Sequence, residues 1–268
     1  MSKKLGASRR KIRKQGAGLR KDVLETIERV WPHGVVEMTF DSEESYFWDI
    51  HQGLTRALKR IKGADLLLER EAEGEPIWPD GADRDQDPPA DFSNSRSYHM
   101  FFVSPRGEAF VFETEIEDID EDAMAEEIDE PGWKDPLMKN IPGEGRTGLS
   151  VAASLLAPFA IVLLNDMLAF EDGSTSEPGI EPCAQTEEGE PIADLEAHFR
   201  KFHGEAALEI LRKLRSEIVG ILERHGVTVL QEDEWRKPAP WLQSGEEVFA
   251  GSPGEPIRAL DAFFFEGL

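Results

Sequence analysis

Residues 148–164 read GLSVAASLLAPFAIVLL, seventeen positions without a charge, and no other feature constrains this chain as much. Such a run must leave water, so other segments have to cover it on every side. A membrane-spanning helix needs about 20 apolar residues. This run is shorter, contains Pro158, and is followed at once by Asn165 and Asp166. The expectation is a helix over about 148–170, buried on all sides in a protein core.

The segments that could cover it are legible as local patterns. Val23, Leu24, Ile27, Val30 and Trp31 form one apolar stripe at helical spacing, and Pro32 ends it. Residues 35–40 predict a short strand. Phe47, Ile50, His51, Leu54, Leu58 and Ile61 predict the buried face of a helix that Gly63 stops. Residues 66–68 would be a second strand, making 35–70 a βαβ-like unit. Ala207, Leu211, Leu214, Ile218, Ile221 and His225 alternate by four and three, which predicts a long amphipathic helix over about 192–225, with Gly204 as a dividing point.

Residues 98–103 and 109–116 are strand-like runs around Ser104-Pro105-Arg106-Gly107. Pro second and Gly fourth suit a type I turn. They predict a central hairpin over about 97–117. Short strands are expected at 227–230, 248–250 and 257–260, and Phe263, Phe264 and Phe265 should pack on the protein's own core. The fold class is α+β: a mixed or antiparallel sheet carrying the central hairpin, packed by several helices. The polar stretches 72–96 and 171–190 are where the body, 22–268, could divide; otherwise it reads as one acidic domain.

Charge divides the chain differently. The net charge is −24, yet residues 1–21 hold nine Lys or Arg and no acid, so the remainder carries −33. A basic arm is attached to an acidic body. Such a body repels nucleic acid and anionic lipid and favours basic partners. Acid is densest at 113–130, which holds eleven Asp or Glu and no base. Glu113, Glu115, Glu117, Asp118, Asp120, Glu121 and Asp122 are the candidate partner-binding residues. Arg9, Arg10, Lys11, Arg13 and Lys14 form the core of the arm. They suit either nucleic-acid phosphates or the acidic body of the same or a neighbouring chain. The arm has no aromatic residue to stack on bases, so nucleic-acid binding through it would be nonspecific. One cysteine, Cys183, allows no intramolecular disulfide. With no apolar stretch behind the arm, that points to a soluble protein of the cytoplasm.

Motifs for chemistry are weak. Gly143, Gly145, Arg146 and Gly148 fall in a literal G-x-G-x-x-G ahead of the apolar run, and glycines before a helix can bring backbone N–H groups to a phosphate. Leu149 stands where a phosphate loop needs Lys, and Glu144 would repel the ligand. Ser150 lacks the strand that precedes a nucleophile elbow. Asp118, Asp120 and Asp122 have calcium-loop spacing, but Ala123 replaces the required Gly. His198 and His203 are five apart and share no helix face. No metal site and no cofactor are expected.

The expected function is therefore a binding, inhibitory or adaptor protein that uses its acidic surface against a basic partner. The alternatives are a nucleotide- or phosphate-binding enzyme built on the turn at 143–148, and a nonspecific nucleic-acid accessory protein acting through the arm.

Overall fold

The computed structural model describes residues 18–37, 48–70, 96–119, 138–171, 175–176, 178–180, 195–245, 248–249 and 256–267. The helices are α1 (Lys21–Val30), α2 (Trp48–Leu58), α3 (Leu195–Arg224) and the single turn α4 (Glu232–Trp235). The main strands are β2 (Ala64–Arg70), β3 (Tyr98–Pro105), β4 (Val111–Ile119), β5 (Met138–Ser154) and β6 (Phe159–Phe170). Shorter strands are β1 (Val35–Val36), β7 (Thr175–Ser176), β8 (Thr228–Val229), β9 (Gln243–Ser244), β10 (Val248–Phe249) and β11 (Glu266–Gly267).

The fold is α+β with a mixed sheet, as the sequence predicts. The main sheet runs β2-β3-β5-β6-β7, with β4 also on β5 and β8 on β6. Its pairs are antiparallel except β6–β8, which is parallel.

The expected buried helix at 148–170 is not a helix. It is the second half of β5, a turn, and β6, paired from Gly143↔Phe170 to Ala153↔Ala160. The burial was legible and the period was not. Leu149, Val151 and Ala153 face one apolar layer, whereas Ala152 and its neighbours Phe159 and Ile161 face another. A strand covered on both faces shows no alternation, so its apolar run cannot be told from a buried helix. Pro158 marks the turn between two strands.

The expected hairpin at 97–117 is also corrected. β3 and β4 do not pair with each other. Both pair antiparallel with β5, from Tyr98↔Ser154 to Val103↔Leu149 and from Val111↔Arg146 to Ile119↔Met138. They therefore run in the same direction, end to end along one long strand. The Ser-Pro-Arg-Gly segment and a 3-10 turn at Glu108–Phe110 form an excursion between them. The Arg106 N–H donates to the Gly63 carbonyl at 2.8 Å, and Ser104 Oγ to the Thr147 carbonyl at 2.8 Å. Turn chemistry marks where a chain bends, but not which strand receives it afterwards. Nor is 35–70 a βαβ unit, because β1 pairs with β9 while β2 belongs to the main sheet.

Two layers cover the sheet. On one face lie α2 and α3, through Leu54, Leu58, Leu208, Leu211, Ile218 and Leu222. The long helix covers nearly the expected span and breaks at Gly204, whose φ of 82° is in the left-handed region. On the other face lie α1 and the C-terminal segment, through Val23, Ile27, Trp31, Trp235, Leu260 and the three phenylalanines. Phe263, Phe264 and Phe265 are fully buried on the protein's own core.

Two buried serines hold that phenylalanine run in place. Ser97 Oγ accepts the Phe265 N–H at 2.8 Å and lies 3.1 Å from the Phe263 carbonyl, to which Ser154 Oγ donates at 3.0 Å. Removing the acceptor from a buried N–H costs about 1–3 kcal/mol. Ser97→Ala should lower stability by about that amount in urea unfolding. An unchanged midpoint would mean that the serine does not secure this segment.

Candidate functional site

The long strand β5 brings together residues from two of the sequence-predicted groups. Its first half is flanked by β4 and by the end of β6, so Glu113 sits beside Glu144, which sits beside Ala169. Direct partners across a sheet share a face. Glu113, Glu144 and Ala169 therefore point one way, and Phe112, Gly145 and Leu168 the other.

An open groove of about 1230 Å³ lies over this end of the sheet. Its apolar lining is Val111, Pro142 and Ala169 on the face of Glu113 and Glu144, and Phe112 and Phe170 on the opposite face at its margin. Around it stand five carboxylates: Glu108, Glu113, Glu115, Glu144 and Glu171, all exposed. Arg146 is the one cation in the lining among the described residues, and its Nε already donates to Glu144 at 2.8 Å. The groove combines an apolar floor with an excess of negative charge. It can desolvate the aliphatic stems of Lys or Arg while their heads meet carboxylates.

Comparison of the chain with known protein families, curated proteins and solved structures found no match.

The glycines of the G-x-G-x-x-G serve the sheet. Gly143, Gly145 and Gly148 lie inside β5, with no helix following them. A Cβ on Gly143 would lie 2.5 Å from the Phe170 ring and 2.6 Å from the Ala169 carbonyl oxygen. On Gly145 it would run into the Phe112 ring. On Gly148 it would lie 2.5 Å from the Val103 carbonyl oxygen and 2.8 Å from the Phe102 ring. Each glycine makes room for a phenylalanine or a neighbouring backbone. A phosphate turn needs N–H groups converging at a helix N-terminus, whereas those of β5 are spent on its flanking strands. Ser150 is buried in the same strand, opposite Phe102 and Leu163.

Glu117 and Asp118 continue β4, opposite Asn140 and Lys139. Asp120, Glu121 and Asp122, the rest of the calcium-like run, Cys183, and Arg9, Arg10, Lys11, Arg13 and Lys14 lie outside the described residues. His203 stacks on Phe199 at 4.4 Å, and Phe199 stacks on Phe110 at 6.4 Å, which makes that histidine part of the α3 packing. Among the described residues no group of His, Cys, Asp and Glu is gathered for a metal ion. None of their helices is long and apolar enough to cross a membrane.

One polar cluster escaped the sequence reading. His51, Thr55 and Lys59 follow one another at four-residue spacing from α2 into the turn after it, and all three approach Glu69 of β2. Thr55 Oγ1 donates to Glu69 Oε1 at 2.7 Å, Lys59 Nζ to Glu69 Oε2 at 2.9 Å, and His51 Nε2 lies 3.8 Å from Oε1. Burial pushes the Glu69 carboxyl up, but Thr55, Lys59 and His51 together hold it below its ordinary value. The His51 ring lies 4.2 Å from that of His99 on β3, and both residues are buried. Burial, and then the neighbouring His51, drive His99 down to about 3 against the pull of Glu69. The i, i+4, i+8 spacing of His51, Thr55 and Lys59 was available in the sequence. Their convergence with Glu69 and His99 depends on how β2 and β3 pair.

Proposed function

We propose that this protein binds a basic chain segment of a partner in the groove over β4, β5 and β6, as an adaptor or inhibitor. One observation carries the reading: five exposed glutamates line a groove whose apolar floor on their face is Val111, Pro142 and Ala169, and among the described residues its one lining cation is already bound to one of them. A segment rich in Lys or Arg would be steered in by the field of the acidic body and held by contact pairs at the rim. The apolar floor suits the alkyl stems and any interspersed Val, Ile or Leu.

A fluorescent peptide alternating Lys or Arg with Val tests this by anisotropy. Binding should weaken by at least about tenfold between about 0.05 and 0.5 M salt, because the contacts are largely ionic. The double variant Glu113→Lys, Glu115→Lys should weaken binding at low salt by about tenfold or more, equivalent to about 1.4 kcal/mol. Both side chains are exposed, so its thermal midpoint should barely move. Binding insensitive to both salt and charge reversal would overturn the reading.

A further inference from the structure

Among the described residues, β4 is paired on one side only. Its nine residues, Val111–Ile119, are all in register with β5, and among the described residues no strand lies along the other edge. β2 covers the equivalent edge of β3 and stops at the Ala64↔Pro105 pair. A strand edge of this length presents a row of unpaired N–H and C=O groups, ready to take an added strand.

The edge carries acid at every second position, Glu113, Glu115 and Glu117. Glu113 and Glu115 are exposed and line the groove. The basic arm has the opposite charge at the same period: Arg9, Lys11 and Arg13, with Arg10 and Ile12 between them and Lys14 after them. Side chains two apart on a strand share a face, and opposite charges directly across a ladder stabilise it. Laid along β4, residues 9–13 would set three cations against three carboxylates, one to one.

We propose that the arm of a second copy of this chain adds to β4 as a strand through residues 9–13, so that two copies exchange arms. The arm's docking there rests on the acidic groove being a site for basic chain segments. A second copy is favoured by where the arm leaves the body. Arg20 is bound to Glu234 at 2.7 Å, and Leu19 packs in the apolar layer that holds Phe159. The Leu230 N–H, four residues before Glu234, bonds the Ala160 carbonyl, at the end of the sheet where β5 turns into β6. Glu115, which Lys11 would face, pairs with Pro142, eleven residues along β5 from that end, a path of about 36 Å at roughly 3.3 Å per residue. Lys11 is nine residues from Arg20 and reaches about 31 Å only when fully extended. Docking in this register within one chain would need more reach than the nine residues give. Reciprocal exchange between two copies needs no such reach, and it closes as a two-fold dimer.

Light scattering coupled to size exclusion tests this on the full chain. A two-chain mass is expected at about 0.1 M salt and a one-chain mass at about 1 M, where the pairing charges are screened. Deleting residues 2–17, or the charge reversal R9E/K11E/R13E, should give one-chain mass at both salts. Adding E113K/E115K/E117K to R9E/K11E/R13E should restore the two-chain mass. In a Cys183→Ser background, K11C with E115C, the central pair in either strand direction, should oxidise to a bond between chains. A bond within one chain, a full chain of one-chain mass at both salts, or an arm-deleted protein of two-chain mass would each overturn the exchange. So would arm-dependent binding of a short DNA duplex by a one-chain species. The basic peptide of the preceding section, added to the arm-deleted protein, separates the two readings. If the peptide binds but the full chain has one-chain mass, the exchange fails and the groove reading stands. If the charge swap restores the two-chain mass but the peptide does not bind, the exchange stands and the wider partner reading fails.

Discussion

Gly148→Ala is expected to destabilise the protein by about 2–4 kcal/mol, a large effect for one added methyl group. The new Cβ would meet the Val103 carbonyl oxygen at 2.5 Å and Ser104 Cα at 3.0 Å, as well as the Phe102 ring. Two of those three neighbours are backbone of the adjacent strand, and a buried backbone cannot swing aside as a side-chain end can. The same change at Gly145 should cost less. There the obstacle is the outer part of the Phe112 ring, and Phe112 is only half-buried. Gly143 should fall between, since its Cβ meets one backbone oxygen at 2.6 Å and one ring. Urea unfolding of the three alanine variants should rank them 148, 143, 145 in stability lost, with a common slope against urea. Gly148→Ala within about 0.5 kcal/mol of the parent would show that the glycine is not needed for the strand's close approach.

The second large effect is acid sensitivity from His99. Its folded value is about 3, far below the ordinary 6.5. Well above pH 6.5 neither state carries a proton there, and His99 makes stability independent of pH. As pH falls below about 6.5 the unfolded chain takes up a proton that the folded protein refuses, so stability falls by about 1.4 kcal/mol per pH unit. The loss levels off near pH 3 at roughly 4–5 kcal/mol. Glu69 acts in the same direction at lower pH, because its folded value is depressed and its contribution disappears as the carboxylate is protonated. Relaxing repulsion within a body of net −33 works the other way, favouring the compact state as acid neutralises it. The His99 contribution is therefore read from a difference. His99→Leu should flatten the stability–pH curve between about pH 6.5 and 4 relative to the parent, whatever its absolute stability. Parallel curves would show that His99 is protonated equally in both states.

Much of the helical structure was readable because helices are local. The stripe from Val23 to Trp31 gave α1, and the four-and-three alternation from Ala207 to Ile221 gave the buried face of α3. Gly204 divides α3 where the sequence suggested it would. The strands were harder. Two of the three largest were hidden inside what looked like a loop and a buried helix. The partner residues of β3 and β4 on β5 lie between 19 and 56 residues downstream, and no local pattern reports which strand a segment will join.

The candidate site divides in the same way. Charge patterning pointed to Glu113 and Glu115, and both line the groove. The glycine motif pointed to Gly143 and Arg146, which line it too, but as parts of a strand packed under aromatic rings. Glu108, Glu171 and Phe170 carried no signal of their own, because only the register of β4, β5 and β6 brings them to one place.

By itself the sequence determined what must be buried, where α1, α2 and α3 lie, and that a basic arm opposes an acidic body. These follow from composition and short periods, which act within a few residues along the chain. Only the tertiary structure decided that the uncharged run at 148–164 is two paired strands. A segment covered on both faces loses the alternation that distinguishes strand from helix, so its conformation is set by the layers that close over it. The apolar run required a cover. The cover, α2 and α3 on one side and α1 with the three phenylalanines on the other, made it a sheet.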